Sequence, residues 1–389
     1  MLKRESLSLS FSPSHTHTYT GTVKKLEKDL GLERELREKY HTEVEALRGR
    51  IRVLCRVHRS ASFQNDDKNH DNDALNVSER SVRVGDVTYD FDHVVTNEET
   101  LWKRANLESL VESAVDGYNM CACTYGTSSS FKSSTMFNRS QSLLVNISAS
   151  LFKRIHRDRR EVNVSIVAVE ICGQRILDML RPSKSAWGNG NIYVACDERS
   201  GYVKIRNATS VRVKNSDEMI ETCTNALRRR GMINSAAESS NDKYKDTSVI
   251  ISVSIQRSDE TLVDGKITLV DLADSDTPRI HNDDLSLDNS RSNLRALTKI
   301  TEALSKNDVS KTLIPYKNDL LTNCLQDCIG GNAKTCFVVC VDSEKSNLNH
   351  TINAFEYSRK IRDVRNETHR IADLETIIRL QNELKTKKK

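Results

Sequence analysis

The residues best suited to chemistry stand together in one stretch, YGTSSSFKSSTM, Tyr125 to Met136. Gly126, Lys132 and Ser133 keep the register of a phosphate-binding loop, G-x-x-x-x-G-K-[ST], while Phe131 stands where the second glycine belongs. Such a loop works because glycines let backbone N–H groups turn inward around phosphates at a helix N-terminus. The lysine ammonium bridges the outer phosphates and the Ser/Thr hydroxyl holds magnesium. Lys132 and Ser133 suit those last two tasks. A Cβ at a glycine position restricts the backbone, and the Phe131 benzyl group competes for space that a phosphate needs. The spacing therefore indicates a phosphate site and the residue types argue against tight nucleotide binding. Phe131 is expected to fill the pocket as an apolar plug.

The ten cysteines are the other reactive set. The pairs Cys121/Cys123, Cys324/Cys328 and Cys336/Cys340 lack the C-x-x-C spacing of zinc sites. They read as reduced core residues, and no metal site is expected. Lys and Arg number 59 against 54 Asp and Glu, a net charge of +5, so any attraction to an acidic partner must come from local patches. The basic residues lack interleaved aromatic stacking partners, which argues against nucleic acid. No run approaches the roughly 18 apolar residues of a membrane span, and the N-terminal stretch has no apolar core of a signal peptide. The expectation is a soluble intracellular protein without membrane contact.

The elements that must position the loop follow from hydrophobic periodicity. Residues 1–22 are rich in Ser and Thr without an apolar face and read as disordered. From Val23, the residues Leu26, Leu30, Glu33, Arg37, Tyr40, Val44, Leu47 and Ile51 follow steps of three and four. That is the seam of a coiled coil over 23–52, interrupted by Glu33 and Arg37, with Leu26, Leu30, Tyr40, Val44 and Leu47 as its dimerisation residues. A helix lying on the globular domain is the alternative. Then IRVLCRVH, VTYDFDHVV, MCACTY, VNVSIVAVEI, SVIISVSI, KITLVDLA and CFVVCV read as strands. They alternate with helical segments through 100–117 and over 216–230, 288–305 and 318–329. Short apolar strands between helices predict an α/β sheet covered on both faces.

Several stretches together resemble the kinesin motor domain. FDHVV, LVESAVDGYNMCACTYG, VEICGQRILDML, LVDLADSD and IPYKNDLLTNCLQDCIGGNAKT match that family's motifs in its order. LRGRIRVLCRV resembles the kinesin-14 neck, in which the motor lies C-terminal to its coiled coil. The resemblance implies a P-loop-related fold with a central mixed β-sheet flanked by helices. It divides the chain into a disordered segment 1–22, a neck 23–52, a motor homology domain 53–365 and a helical or basic tail 366–389.

Against the family pattern the nucleotide site is degenerate. Ser129 and Phe131 occupy the two interior glycine positions of G-Q-T-G-S-G-K-T. The first switch, N-x-x-S-S-R-S-H, has no counterpart in SAAESSNDKYKD, where Ser239 and Ser240 are at best remnants. In the second switch Asp274 replaces the glycine that senses the γ-phosphate and Asp276 the glutamate, while Asp271, which helps hold magnesium, remains. A carboxylate at 274 facing a triphosphate costs on the order of 1 to 4 kcal/mol. The R-x-R-P contact to the base reads Arg56, Val57, His58, Arg59.

These departures lead to an ATPase-dead domain with no catalytic residues and no cofactor. In kinesins the filament face is built around the helix after the second switch, the next loop and the following short helix. Here Arg291, Arg295 and Lys299 recur at i, i+4 and i+8, with Lys306, Lys311 and Lys317 after them, and Leu294, Leu297, Ile300, Ala303 and Leu304 suit the opposite, buried face. Lys204 and Arg206 resemble a second filament-contacting region. Leu320 in place of a lysine, and Asp319 as an added negative charge, count against a full contact. The reading is a microtubule-binding, noncatalytic subunit of the Vik/Cik type, paired by coiled coil with a catalytic kinesin-14 and located on cytoplasmic or nuclear microtubules and the spindle. The alternative is a divergent but active motor that binds ATP and magnesium through Lys132, Ser133 and Asp271.

Overall fold

The computed structural model describes residues 49–58, 75–96, 101–103, 105–158, 161–181, 191–196, 202–230, 247–257, 265–275, 285–306 and 314–370, with single positions and short runs between 23 and 44. The side chains of residues 172, 257 and 285–292 lie outside this description, as does the segment 1–22.

The chain divides into two units, 1–49 and 50–389. In the first, Val23, Leu26, Leu30, Tyr40 and Val44 are helical and exposed, whereas Leu47 falls outside the described residues. Leu32 and Leu36 are exposed as well, so the apolar stripe is wider than the seam alone. The last residues of the neck read over 23–52, from Arg50 on, belong to the second unit. Arg50 forms an antiparallel bridge with Arg365, the Ile51 N–H donates to the Val364 carbonyl at 3.2 Å, and Arg52 already opens a strand.

The second unit is built on apolar runs that can only be central strands, because both faces of each need cover. β1 (Arg52–His58) is followed by a small antiparallel sheet of β2 (Asn76–Val77), β3 (Ser81–Val84) and β4 (Val87–Asp90), then by β5 (His93–Val95). β6 (Asn119–Gly126), β7 (Val162–Cys172) and β8 (Arg175–Asp178) precede a two-stranded ribbon of β9 (Tyr193–Cys196) and β10 (Val203–Arg206). β11 (Val211–Val213), β12 (Ser248–Arg257), β13 (Gly265–Asp271) and β14 (Lys334–Asp342) complete the strands. The main sheet runs β11-β7-β12-β13-β6-β14-β1-β5, with β8 beside β7. It is mixed, as expected: β13, β6, β14, β1 and β5 pair in parallel, and β11, β7, β12 and β13 antiparallel.

Alternate residues of each central strand enter two different cores. Along β6, Met120 and Ala122 face one side, and Cys121 and Cys123 the other; along β14 the split is Cys336, Val338 and Cys340 against Phe337, Val339 and Val341. On one side stand α1 (Glu108–Val115), α3 (Leu143–Asp158) and α4 (Ser216–Leu227); on the other α5 (Leu285–Ser305), α6 (Leu320–Cys324) and α7 (Leu348–Asp363). The short α2 (Lys132–Phe137) follows β6.

Three helices are missing from the segments read as helical, the short α2 and the longer α3 and α7. Polar residues dilute the buried stripes of the longer two: Ser148, Ser150 and Arg154 in α3, and Thr351 and Ser358 in α7. The helix expected over 318–329 shrinks to α6, preceded by a 3-10 turn, Tyr316–Asn318. The tail boundary also moves. Residues 366–370 are not helical, and the buried Asn366 side chain accepts from the Gly330 N–H at 2.8 Å and donates to the Cys328 and Ala333 carbonyls at 2.8 and 2.7 Å. The domain therefore extends past 365. The nine described cysteines are free thiols, all buried except Cys196; burial pushes Cys223 and Cys336 up to about 12, which leaves them protonated and unreactive.

Candidate functional site

β6 lies between β13 and β14, all three parallel, so their C-terminal ends open together, where α/β sheets place ligands. Gly126 ends β6 with φ +153°, and a Cβ there would lie 2.0 Å from the Cys340 carbonyl oxygen of β14, so glycine is required. Ser128–Ser130 make one 3-10 turn, and Phe131 takes the left-handed conformation, φ 56° and ψ 32°, before α2 begins. The backbone thus keeps at 131 a conformation native to glycine, with an aromatic residue in it.

The loop closes on its own groups. The Ser130 hydroxyl donates to the Thr127 carbonyl at 2.6 Å, and the Ser129 hydroxyl accepts from the Asn347 amide at 3.1 Å. The Phe131 carbonyl accepts from Arg56 at 3.3 Å and from the Thr135 hydroxyl at 3.0 Å.

The expected plug is not formed. Phe131 is 51% exposed and lays its ring 4.1 Å from that of His58, tilted by 38°. The left-handed backbone turns the side chain away from the loop's interior and onto the end of β1. This partial burial, and then the neighbouring Arg56 guanidinium, hold the His58 imidazole below its ordinary value of 6.5.

What fills the interior is a polar network. Lys132 and Asp274, each about 6% exposed, form an ion pair, so the ammonium that would bridge phosphates already holds a carboxylate. The Ser133 hydroxyl donates to Asp271 at 2.6 Å, Thr124 donates to the other Asp271 oxygen at 3.0 Å, and Arg230 pairs with Asp271 at 3.0 Å. Arg230 also reaches Glu170 at 3.8 Å, and Glu170 accepts from the Thr247 hydroxyl at 2.5 Å. Three cations, Arg56, Lys132 and Arg230, thus stand with three carboxylates, Glu170, Asp271 and Asp274. A magnesium triphosphate carries net negative charge and meets in this donor set no net positive charge to balance it. The sequence reading assigned roles to Lys132, Ser133, Asp271 and Asp274 but none to Arg230 or Glu170, which no spacing connects to the loop. Asp276, Ser239 and Ser240 lie outside the described residues.

On α5, Arg295 and Lys299 are exposed one turn apart, while Leu297, Ile300 and Leu304 are buried and Leu294 and Ala303 pack against the same core. Lys306 and Lys317 are exposed; the Arg291 side chain and Lys311 fall outside the description. Lys204 and Arg206 sit on the ribbon strand β10, Lys204 half-buried with its ammonium 5.1 Å from the Tyr202 ring centre and Arg206 exposed. Lys266, on β13, fastens that ribbon: it donates to the Val203 carbonyl at 2.8 Å and to Asp327 at 2.7 Å, and Asp327 accepts from the Val203 N–H at 2.9 Å. Burial alone would lower the Lys266 titration, but Asp327 more than offsets it and keeps the ammonium charged.

Asp319 corrects the sequence reading. It is 5% exposed and adds no surface charge: it caps α6, accepting from the Leu321 and Thr322 N–H groups at 3.0 and 3.3 Å, and receives Gln174 and Asn293 at 3.0 and 2.8 Å. Leu320 packs partly against the core.

The family description "Kinesin motor domain" matches residues 50–364. The chain is 28% identical over 365 residues to kinesin-like protein KIN-14I of Oryza sativa subsp. japonica, covering 90% of this chain and 28% of that protein. It is 27% identical over 376 residues to kinesin-like protein KAR3 of Saccharomyces cerevisiae, covering 88% and 50%. The chain thus spans half or less of these relatives. Among solved structures it is similar to the "C-terminal motor and motor homology domain of Kar3Vik1 fused to a synthetic heterodimeric coiled coil", with TM-score 0.76, 24% identity and coverage of 90% of this chain and 94% of that one. A fast kinesin follows at TM-score 0.71 and 20% identity, covering 82% and 93%. Among the described residues no helix is long and apolar enough to cross a membrane.

Proposed function

This chain belongs to the kinesin motor-domain family, and from that premise we propose that it is a kinesin-14-type motor homology domain that binds microtubules without hydrolysing ATP. It acts as the noncatalytic, Vik/Cik-type member of a heterodimer with a catalytic kinesin-14, joined through the helix before residue 50, at cytoplasmic or spindle microtubules. Kinesin-14 relatives and the likeness to a structure described as Kar3Vik1 support the class.

The observation that carries the noncatalytic reading is the buried Lys132–Asp274 pair. Magnesium-bound ATP would supply the phosphoryl group for transfer, and the lysine that should meet it is engaged. The charge-balanced network offers the incoming anion no compensation. Microtubule contact rests on Arg295 and Lys299 on α5, with Lys306 and Lys317 after it, facing an acidic filament surface through a salt-screened attraction.

The second reading, an ATP-driven motor, draws on the Ser133–Asp271 contact at 2.6 Å and on the retained loop backbone. Phosphate release by the full chain, with and without microtubules, decides between them. No microtubule-stimulated release, together with salt-sensitive pelleting that Arg295→Glu/Lys299→Glu weakens about tenfold, is the expected result. Stimulated release would establish the motor. Absence of pelleting at low salt would leave neither activity.

A further inference from the structure

The loop interior is an anion site in its construction, and its anion comes from the chain itself. Lys132 is buried, and a buried ammonium needs a partner within contact distance. Asp274 supplies it from the segment just beyond β13. The residues around Asp274 are held by backbone contacts on both sides. The Leu272 N–H donates to the Thr124 carbonyl at 3.1 Å, the Ala273 N–H to the Ser248 hydroxyl at 3.0 Å, and the Ser275 N–H to the Gly126 carbonyl at 3.0 Å. The carboxylate is therefore delivered by a fixed scaffold, as an intramolecular ligand at high effective concentration.

We propose that Asp274 is a built-in substitute for a phosphate group, occupying on Lys132 the place that an inorganic polyphosphate would take, so that the chain carries a latent polyanion site satisfied from within. This rests on the noncatalytic reading above. The retained features point the same way: Gly126 where no Cβ fits, the left-handed turn at 131, and Ser133 at hydrogen-bond distance from Asp271 keep the cradle while its content is replaced. The substitution also has a conformational side. Residues 272–275 are fastened to β6, β12 and the start of the loop by these bonds, and the Lys132–Asp274 pair adds a side-chain link between the two segments.

The test uses the full chain and inorganic pyrophosphate without magnesium, against sodium chloride at matched ionic strength. Asp274→Ala leaves Lys132 buried without its partner and should melt below the native protein. Pyrophosphate should raise the melting temperature of Asp274→Ala by several degrees and leave the native protein unchanged, because a ligand stabilises only the form that binds it. If Asp274→Ala does not fold in buffer, recovery of folded protein on refolding with pyrophosphate is the readout; recovery supports the proposal and failure overturns it. The double variant Lys132→Met/Asp274→Ala should fold and ignore pyrophosphate.

An equal response of native protein and Asp274→Ala overturns the proposal, as does a response of the double variant, since either places the anion elsewhere. No response of a folded Asp274→Ala overturns it too, yet leaves the noncatalytic reading standing. That reading falls separately, if the native chain releases phosphate on microtubules.

Discussion

Phe131 sits in a left-handed conformation that costs an L-residue about 1–2 kcal/mol, and its ring returns about 0.5–1.5 kcal/mol by lying on His58. Phe131→Gly removes both, so the change in unfolding free energy should stay within about 1 kcal/mol. A loss of 3 kcal/mol or more, on the order of a buried aromatic truncation, in a urea titration would mean that the ring is buried after all. The same variant uncovers His58, whose imidazole titrates below 6.5 in the folded chain. Between that lowered value and 6.5 the unfolded chain binds a proton that the folded one does not, so stability rises with pH across the window and is lost as pH falls through it. In Phe131→Gly the His58 resonance should titrate closer to 6.5 and the window should narrow, which an NMR titration reads. That the loop residues were altered was legible in the sequence, because each substitution is visible against the spacing. What they do instead was not. Lys132 and Asp274 are 142 positions apart, and their pairing exists only once β6 and β13 lie side by side, as that of Arg230 with Asp271 exists only once the chain leaving α4 reaches the end of β13.

At the scale of elements, the central strands were legible because their apolar runs are continuous, and a helix near 318 was legible too, but neither its shortness nor the side chain that fixes its start follows from periodicity. Asp319 is that side chain. Asp319→Ala removes a cap, worth about 1 kcal/mol, and strands the amides of Gln174 and Asn293, at about 1 kcal/mol each. The variant should unfold about 2–4 kcal/mol more easily in urea, with Asp319→Asn milder, and neither should change the salt dependence of microtubule pelleting. The neck helix carries its own prediction. In a parallel, in-register homodimer Glu33 would face Glu33 and Arg37 would face Arg37 across the seam, which repels. A different chain with a basic residue opposite Glu33 and an acidic one opposite Arg37 removes that conflict. The full chain should therefore sediment as a monomer at micromolar concentration, and Glu33→Leu/Arg37→Leu should shift it toward a homodimer. Self-association of the native chain through this helix would count against a dedicated partner.

For the molecule as a whole, the two ends of the folded body meet. Arg50 bridges to Arg365, Val364 accepts from Ile51, and Asn366 and Glu367 then tie the departing chain to the 328–333 turn beyond α6, with the Glu367 N–H donating to the Gly331 carbonyl at 2.8 Å. A chain ending at 364 keeps the Ile51 bond but loses the Arg365 bridge and the bonds of Asn366 and Glu367, and should be about 4–5 kcal/mol less stable than one ending at 370, at roughly 1 kcal/mol per buried hydrogen bond. Equal melting of the two would show that the segment contributes nothing. The place where the chain enters has a mechanical meaning as well. β1 lies between two parallel neighbours, and its seven residues all pair with β14, so tension drawn backward along β1 from Arg50 loads those bonds together in shear instead of opening them in turn. The Arg50–Arg365 bridge gives first, as a fuse at the edge. Behind it the parallel pairing of β1 with β14 and β5 lets the sheet carry a pull on the entering chain without unravelling strand by strand.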